Sequence, residues 1–169
     1  GIQALDFVAR KLPLRGGDAI KELLQMAEGT FNTLKSDKQL MEPAWILGAA
    51  LKQIQAISKE LMKRPDGIEL TLLNAVPIVD MIGTALGAHF LLDQAIIARE
   101  KLAEILTGAD VDPNDKDAYG ALLSDNADAA FYHNKVQTAI HFAYRALPSV
   151  AARGASILSG ERAPLEAVL

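Results

Sequence analysis

Residues 70–98 constrain the fold most, because this long stretch is almost entirely apolar. A membrane-spanning helix needs about 20 mostly apolar residues, and the stretch is long enough. However, Asp80, His89 and Asp93 recur through it, and ionisable groups at the centre of a bilayer are costly. A helix that is apolar on most sides belongs in the core of a protein. The stretch therefore predicts a buried central helix and no membrane span.

The composition favours an all-α fold of one domain. Half of the 169 residues are hydrophobic, but only 5% are aromatic. Alanine and leucine dominate, and both favour helix. A chain of this length can bury a substantial core.

Charge and cysteine content exclude several classes of function. The net charge is −4, whereas a protein that neutralises phosphates is usually basic, so we expect no nucleic-acid partner. Cysteine is absent, which excludes disulfides, thiolate zinc sites and a cysteine nucleophile. This also fits a reducing compartment, and we expect a cytoplasmic protein.

Apolar residues recur three and four positions apart, the spacing of a helical bundle. We predict kinks near Pro77 and Pro148, because proline cannot donate within a helix. A polar loop is predicted at 109–117, and the other connections are short, which makes neighbouring helices antiparallel. The predicted fold is an all-α, antiparallel up-and-down bundle of four to five helices. The predicted helices cover residues 1–11, 18–36, 38–63 and 68–107, and a fifth runs from about 124 to 160.

The three histidines do not form a metal-binding pattern. His89 and Asp93 are four residues apart and share a helix face, but a metal site needs more converging ligands. None of His89, His133 and His141 has a glutamate three residues before it, as the di-iron bundles require. We therefore expect His89 and Asp93 to form a hydrogen-bonded structural pair.

Asp110, Asp112 and Asn114 match positions one, three and five of an EF-hand calcium loop. That loop also needs glycine at position six and glutamate at position twelve, where this chain has Asp115 and Ala121. A solvated acidic linker is the better interpretation.

The remaining carboxylates could form acid–base pairs, but structural roles explain them better. Asp125 and Asp128 are expected at the start of the fifth helix, where the helix dipole favours negative charge. Asp80 lies in an apolar helix and should pair with a basic residue of another helix, because burying a charge alone is costly. Serine-nucleophile, phosphate-loop and dinucleotide motifs are absent from the sequence. The residues therefore predict no catalytic, cofactor-binding or metal-binding side chain.

Both ends of the chain resemble acyl-CoA dehydrogenases. The opening run Gly-Ile-Gln-Ala-Leu-Asp, residues 1–6, resembles the continuation of the Tyr-Glu-Gly-Thr-x-x-Ile-Gln segment in their C-terminal helical domain. In the methylmercaptopropionyl-CoA dehydrogenase-like subgroup a Gly-Arg-Lys-Leu run follows, and this chain departs from it at Ala9. Residues 131–139 resemble the Phe-Tyr-x-x-Lys-x-x-x-Ala run of an extra helical region in that subgroup.

The resemblance implies a parent enzyme that binds FAD and dehydrogenates an acyl-CoA between its α and β carbons. Its base, a glutamate in many members, and most flavin contacts would precede Gly1, because the chain opens inside an amphipathic helix without an initiator methionine. Residues 1–12 would end a helix of the dehydrogenase core, and 13–169 would form the C-terminal bundle. The expected partners are that core, acyl-CoA in the parent and further copies in a homo-oligomer.

On this interpretation the chain itself is structural, is inactive alone and binds no FAD. The alternative is a free-standing helical module for ligand binding or oligomerisation.

Overall fold

The computed structural model describes residues 1–167 and is helical over 83% of the chain, with no β-strand in that part. This confirms the all-α prediction. Residues 168 and 169, which the sequence assigns to the second domain, lie outside the described residues.

The helices follow one another with short connections. A π-helical turn, Phe7–Lys11, and a 3₁₀ turn, Leu14–Gly17, separate the first two α-helices. The α-helices are α1 (Ile2–Asp6), α2 (Asp18–Leu34), α3 (Met41–Lys63), α4 (Gly67–Leu73), α5 (Ala75–Gly108), α6 (Lys116–Asp125), α7 (Ala127–Arg145), α8 (Pro148–Leu158) and α9 (Ala163–Glu166).

The long helices form the predicted antiparallel bundle. Early residues of α5 meet late residues of α7: a side chain on Gly87 would lie 3.3 Å from Cζ of the Phe142 ring. Farther along α5, Gln94 accepts a hydrogen bond of 3.1 Å from Lys135, which lies earlier in α7. The two helices therefore run in opposite directions, as neighbours in an antiparallel bundle do.

Helix α5 lies at the centre of this bundle. It contacts α2, α3, α7 and α8, and Ala85, Leu92 and Ala95 are fully buried. Among residues 1–167 it is the one helix long and apolar enough to cross a membrane by length and composition. Its buried residues instead pack against neighbouring helices, which is the position that the sequence predicts.

Both predicted kinks lie at breaks between helices. Pro148 is the first residue of α8, and Pro77 is the third residue of α5, just after the break at Asn74. The first-turn N–H groups of a helix have no partner within the helix, so proline loses nothing there. For this reason each helix break lies just before the proline, and the proline itself belongs to the first turn of the next helix.

The predicted fifth helix, from about 124 to 160, is in fact two helices, α7 and α8, and the sequence analysis missed α6 before them. Asp115 caps α6, accepting hydrogen bonds of 3.1 Å from the N–H groups of Asp117 and Ala118. Asn126 caps α7 in the same way, with a bond of 2.9 Å from Ala129. Two successive N-caps thus define two helices, α6 and α7.

The observed helix bounds also change the positions predicted for the N-terminal charges and for the acidic loop. Asp125 ends α6 and directly precedes the N-cap of α7, whereas Asp128 lies in the first turn of α7 as predicted. The predicted loop 109–117 ends at Asp115, because α6 begins at Lys116.

Candidate functional site

A buried polar cluster joins α2 to α5. It consists of Thr30 on α2 with His89 and Asp93 on α5, and we call it the α2–α5 polar cluster. The Thr30 hydroxyl lies 2.9 Å from Nδ1 of His89 and donates a hydrogen bond of 2.7 Å to Oδ1 of Asp93. His89 is 2% exposed, and its Nδ1 lies 3.7 Å from Oδ2 of Asp93. The sequence analysis paired His89 directly with Asp93, whereas in the structure Thr30 links the two.

The hydrogen bonds of Thr30 define the tautomer of His89. A threonine hydroxyl has one hydrogen, and here that hydrogen goes to Asp93. Nδ1 of His89 must then be the donor to Thr30. Nε2 is buried and has no hydrogen-bond partner within the described part of the chain. Nε2 is therefore closed off from solvent, whereas the Asp93 side chain of the same cluster is 47% exposed.

A second polar contact, Asp37 with Arg99, ties the α2–α3 connection to α5. Oδ1 of Asp37 accepts hydrogen bonds of 2.9 Å from the N–H groups of Gln39 and Leu40, and one of 2.7 Å from Arg99. Partial burial acts to raise the pKa of Asp37, but these three donors outweigh it, so the pKa lies below the ordinary value of 3.8. These bonds organise the turn that leads into α3.

Asp80 has a partner of the predicted type. Its Oδ2 lies 3.7 Å from Nε of Arg153 on α8. The Asp80 side chain is 49% exposed, so it lies at the rim of the bundle and not in its core. The contact is a surface ion pair, which is weak in water.

The other two histidines lie apart from the α2–α5 polar cluster, on α7. Nδ1 of His133 lies 2.9 Å from the hydroxyl of Tyr119 on α6, and burial raises the pKa of Tyr119. His141 is exposed. No group of three or more potential metal-binding side chains occurs within residues 1–167.

The acidic residues after α5 bond to their own backbone. Oδ1 of Asp112 accepts hydrogen bonds from the N–H and the side-chain amide of Asn114, at 2.9 and 2.8 Å. The carboxylate of Asp115 caps α6. Their oxygens thus stabilise turns and a helix start, and do not converge on a common point.

An open groove of about 530 Å³ lies between α1, α4 and the C-terminal segment. Its walls are mostly apolar, and its charged members are Glu69 and Arg162. Arg162 pairs with Glu69 and also reaches Oδ2 of Asp66 at 3.3 Å. Asp66 in turn accepts hydrogen bonds of 2.9 and 3.1 Å from Arg64, which lower the pKa of Asp66. The lining residues are Leu5, Glu69, Leu72, Leu73, Arg162 and Leu165.

Comparison with known families identifies the domain. The family model described as acetyl-CoA dehydrogenase C-terminal like matches residues 18–167. The chain belongs to this family. The match begins at Asp18, the first residue of α2, and covers the whole helical bundle that follows. Comparisons with curated proteins and with solved structures find no match.

The family implies FAD in the parent enzyme, but the groove does not fit that cofactor. A dinucleotide pyrophosphate needs free cations or exposed backbone N–H groups. The single cation that lines the groove, Arg162, is already paired with Glu69 and Asp66. The groove is otherwise lined by leucines. We therefore assign no flavin contact to this groove.

Sequence reasoning missed Thr30, Asp37, Arg99 and Arg162. A threonine within an amphipathic helix carries no sign of its partner, and the two ion-pair contacts join residues more than sixty positions apart. One signal was available for Asp37: an aspartate shortly before an apolar helical run is a common helix-start residue.

Proposed function

We propose that this chain is the C-terminal helical domain of a FAD-dependent acyl-CoA dehydrogenase and that its own role is structural. The family match over residues 18–167 carries this proposal. In such a parent, FAD held by the core would supply the hydride acceptor for the β carbon, while a base of the core would take the α proton of the acyl thioester. The residues of this chain form a packed helical bundle and its surface. The catalytic base lies in the preceding core.

The domain division supports the same proposal. We propose that residues 1–12 complete a helix of the dehydrogenase core and that 13–169 form the appended bundle. The family match starts at Asp18, only a few residues after this boundary. The π-helical and 3₁₀ turns lie across the proposed junction.

The finer assignment rests on the sequence resemblance alone. We propose that the parent belongs to the methylmercaptopropionyl-CoA dehydrogenase-like subgroup, because residues 1–6 and 131–139 resemble its motifs. Its substrate is then an acyl-CoA. We also propose a cytoplasmic enzyme, in keeping with a chain that lacks cysteine.

Self-association of the parent is a further part of this proposal. Phe90 and Ile97 on α5 are 47% and 59% exposed and lie about two helical turns apart on one face, where a second copy would cover them. Light scattering of the parent at several concentrations tests this, and we expect a mass of at least two chains. A strictly monomeric protein would contradict it.

The function is tested by purifying the full parent polypeptide and the 169-residue chain side by side. We expect the parent to be yellow with bound flavin and to oxidise acyl-CoA with an artificial electron acceptor. The shorter chain should be helical by circular dichroism, colourless and inactive. Flavin bound to the shorter chain would refute the structural role, and a parent without flavin would refute the family chemistry.

A further inference from the structure

Exposed residues recur every seven positions along the outer side of α5. Val76, Gly83, Phe90 and Ile97 follow this spacing, and we call them the α5 stripe. Seven residues are close to two helical turns, so the four residues lie on one face of the helix. All four are exposed to solvent although three of their side chains are large and apolar. An apolar seam with a seven-residue period is typical of a helix that packs along a second helix.

We propose that the α5 stripe pairs with the α5 stripe of a second copy of this chain, with the two helices antiparallel and Phe90 next to the two-fold axis. This inference rests on the self-association that forms part of the proposed function. It goes further by naming the face, the direction of the two helices and the residues that meet across the contact.

The spacing of the α5 stripe makes it complementary to itself. Gly83 lies seven residues before Phe90, and Ile97 lies seven residues after it. Antiparallel pairing about Phe90 therefore places Ile97 of each copy over Gly83 of the other. A side-chain carbon on Gly83 would have nothing within 4 Å of it among the described residues, so no contact within the chain requires glycine there. Glycine weakens the interior of a helix, and a notch that receives Ile97 of the second copy accounts for its presence.

The charges beside the α5 stripe favour the antiparallel direction. Asp80 lies ten residues before Phe90, and Lys101 lies eleven residues after it. A two-fold axis at Phe90 thus brings Asp80 of each copy beside Lys101 of the other. Parallel pairing would instead place Asp80 against Asp80 and Lys101 against Lys101, and like charges across a contact are unfavourable.

The contacts that these two charges make within one chain leave them available. The Asp80 side chain is 49% exposed, and its contact with Arg153 is 3.7 Å long. The Lys101 side chain is 48% exposed and bonds to Glu104, three residues later on the same helix. Surface pairs of this kind are weak, so Asp80 and Lys101 can also pair between copies.

Cross-linking between introduced cysteines tests the pairing directly. The experiment uses the full polypeptide that contains this domain, with any cysteine outside the 169 residues replaced by serine; the 169 residues contain none. Gly83→Cys and Ile97→Cys chains carry different tags, are co-expressed and are treated with a short bismaleimide. We expect dimers that contain one chain of each kind. Either variant alone should cross-link about tenfold less, because its two thiols would lie about 20 Å apart along the antiparallel helices.

Met62→Cys, co-expressed with Ile97→Cys, is the matched control. Met62 is 76% exposed and lies on α3, outside the α5 stripe. We expect no cross-linked dimer from this pair above the level of Ile97→Cys alone. Absence of the cross-link between positions 83 and 97 would overturn the proposal. Equal cross-linking in the control, or in either variant alone, would overturn it as well.

Charge reversal in the same cysteine background gives a second test. Asp80→Lys or Lys101→Asp alone places like charges together twice in each dimer, so we expect the cross-linking rate to fall about tenfold. The double variant restores both pairs and should return to within about twofold of the starting rate. Asp80 and Lys101 are 21 residues apart, about 30 Å along α5, so they cannot compensate for each other within one chain. A double variant that cross-links no faster than the single reversals would overturn the antiparallel pairing.

Failure of this inference and failure of the proposed function are distinguishable. A strictly monomeric polypeptide refutes the self-association and this inference together. A self-associating polypeptide without the cross-link between positions 83 and 97 refutes this inference alone. A polypeptide without flavin refutes the enzyme chemistry, while the cross-linking still decides how two copies pair.

Discussion

Thr30 contributes to stability by bonding to two polar side chains at once, buried His89 and half-exposed Asp93. Replacing it with valine keeps the shape but leaves Nδ1–H of His89 without its acceptor and removes the bond to Asp93. We expect Thr30→Val to lower the free energy of unfolding by about 1–3 kcal/mol, the usual cost of an unsatisfied buried donor. Urea denaturation measures this.

The control for Thr30 lies one turn later on the same helix. Thr33 is exposed and donates only to the carbonyl of Gly29, so Thr33→Val should change stability by less than about 0.5 kcal/mol. If both valine variants unfold at the same urea concentration, the α2–α5 polar cluster does not stabilise the bundle.

Asp37 makes stability depend on pH in the acid range. Its folded-state pKa lies below the ordinary 3.8, so its contribution is present above that pH and is lost as pH falls through the lowered pKa. Asp37→Asn should cost about 1 kcal/mol near pH 7, because the charge-assisted bond from Arg99 is lost. The stability gap between wild type and variant should shrink as pH falls below about 4.

Denaturation of the two proteins across pH 3–7 checks this prediction. Asp128→Asn, which removes an exposed carboxylate from the first turn of α7, is the control for the loss of one negative charge. A gap for Asp37→Asn that stays constant down to pH 3 would show that Arg99 does not stabilise the charged form.

At the residue scale, the sequence predicts that a charged side chain needs a partner. It predicts less well which residue that partner is. The apolar surroundings of Asp80 in the sequence indicated a basic partner from another helix, and Arg153 is that partner. They also suggested burial, but the carboxylate lies at the rim, because a short shift around a helix moves a side chain from core to solvent. Thr30 could not be found, since its role depends on how α2 lies across α5.

At the scale of elements, the glycines divide into those that permit packing and those that only weaken a helix. A side-chain carbon on Gly67 would lie 1.9 Å from the carbonyl oxygen of Leu61, so the turn between α3 and α4 requires glycine. Gly29 in α2 has nothing within 4 Å of that position. No neighbouring helix therefore comes close to the backbone at Gly29, so glycine is not needed there for packing.

Alanine substitutions at these two glycines should have opposite effects. Gly67→Ala should destabilise the bundle by more than about 2 kcal/mol, because backbone must move to relieve the clash. Gly29→Ala should stabilise it by about 0.5–1 kcal/mol through lower unfolded-state entropy. Thermal unfolding followed by circular dichroism measures both shifts, and a common direction would contradict this division.

Helix periodicity predicted the long elements well and the short ones poorly. Helices α2, α3 and α5 each present a repeating apolar pattern over many turns, so their existence was clear from the sequence. Helix α6 was missed because its ten residues follow an acidic loop and none of them is buried. The capping residues Asp115 and Asn126 were the available signals, and they carry more weight than periodicity in short helices.

At the scale of the whole molecule, the central position of α5 follows directly from its sequence. A helix apolar on most sides must be surrounded, and helices α1, α2, α3, α4, α7 and α8 all contact it here. The groove beside α4 could not be predicted, since Leu5, Leu72 and Leu165 come from three distant parts of the chain. Its apolar lining and paired charges became visible only once those segments lay together.

The central claim is that this bundle belongs to a flavin-dependent acyl-CoA dehydrogenase. Anaerobic titration of the purified full-length parent with acyl-CoA, followed by flavin absorbance, tests it most directly. We predict loss of the oxidised flavin absorbance with stoichiometric acyl-CoA, together with formation of the α,β-unsaturated thioester. A parent polypeptide that contains no flavin, or whose flavin stays oxidised with every acyl-CoA supplied, would contradict the claim.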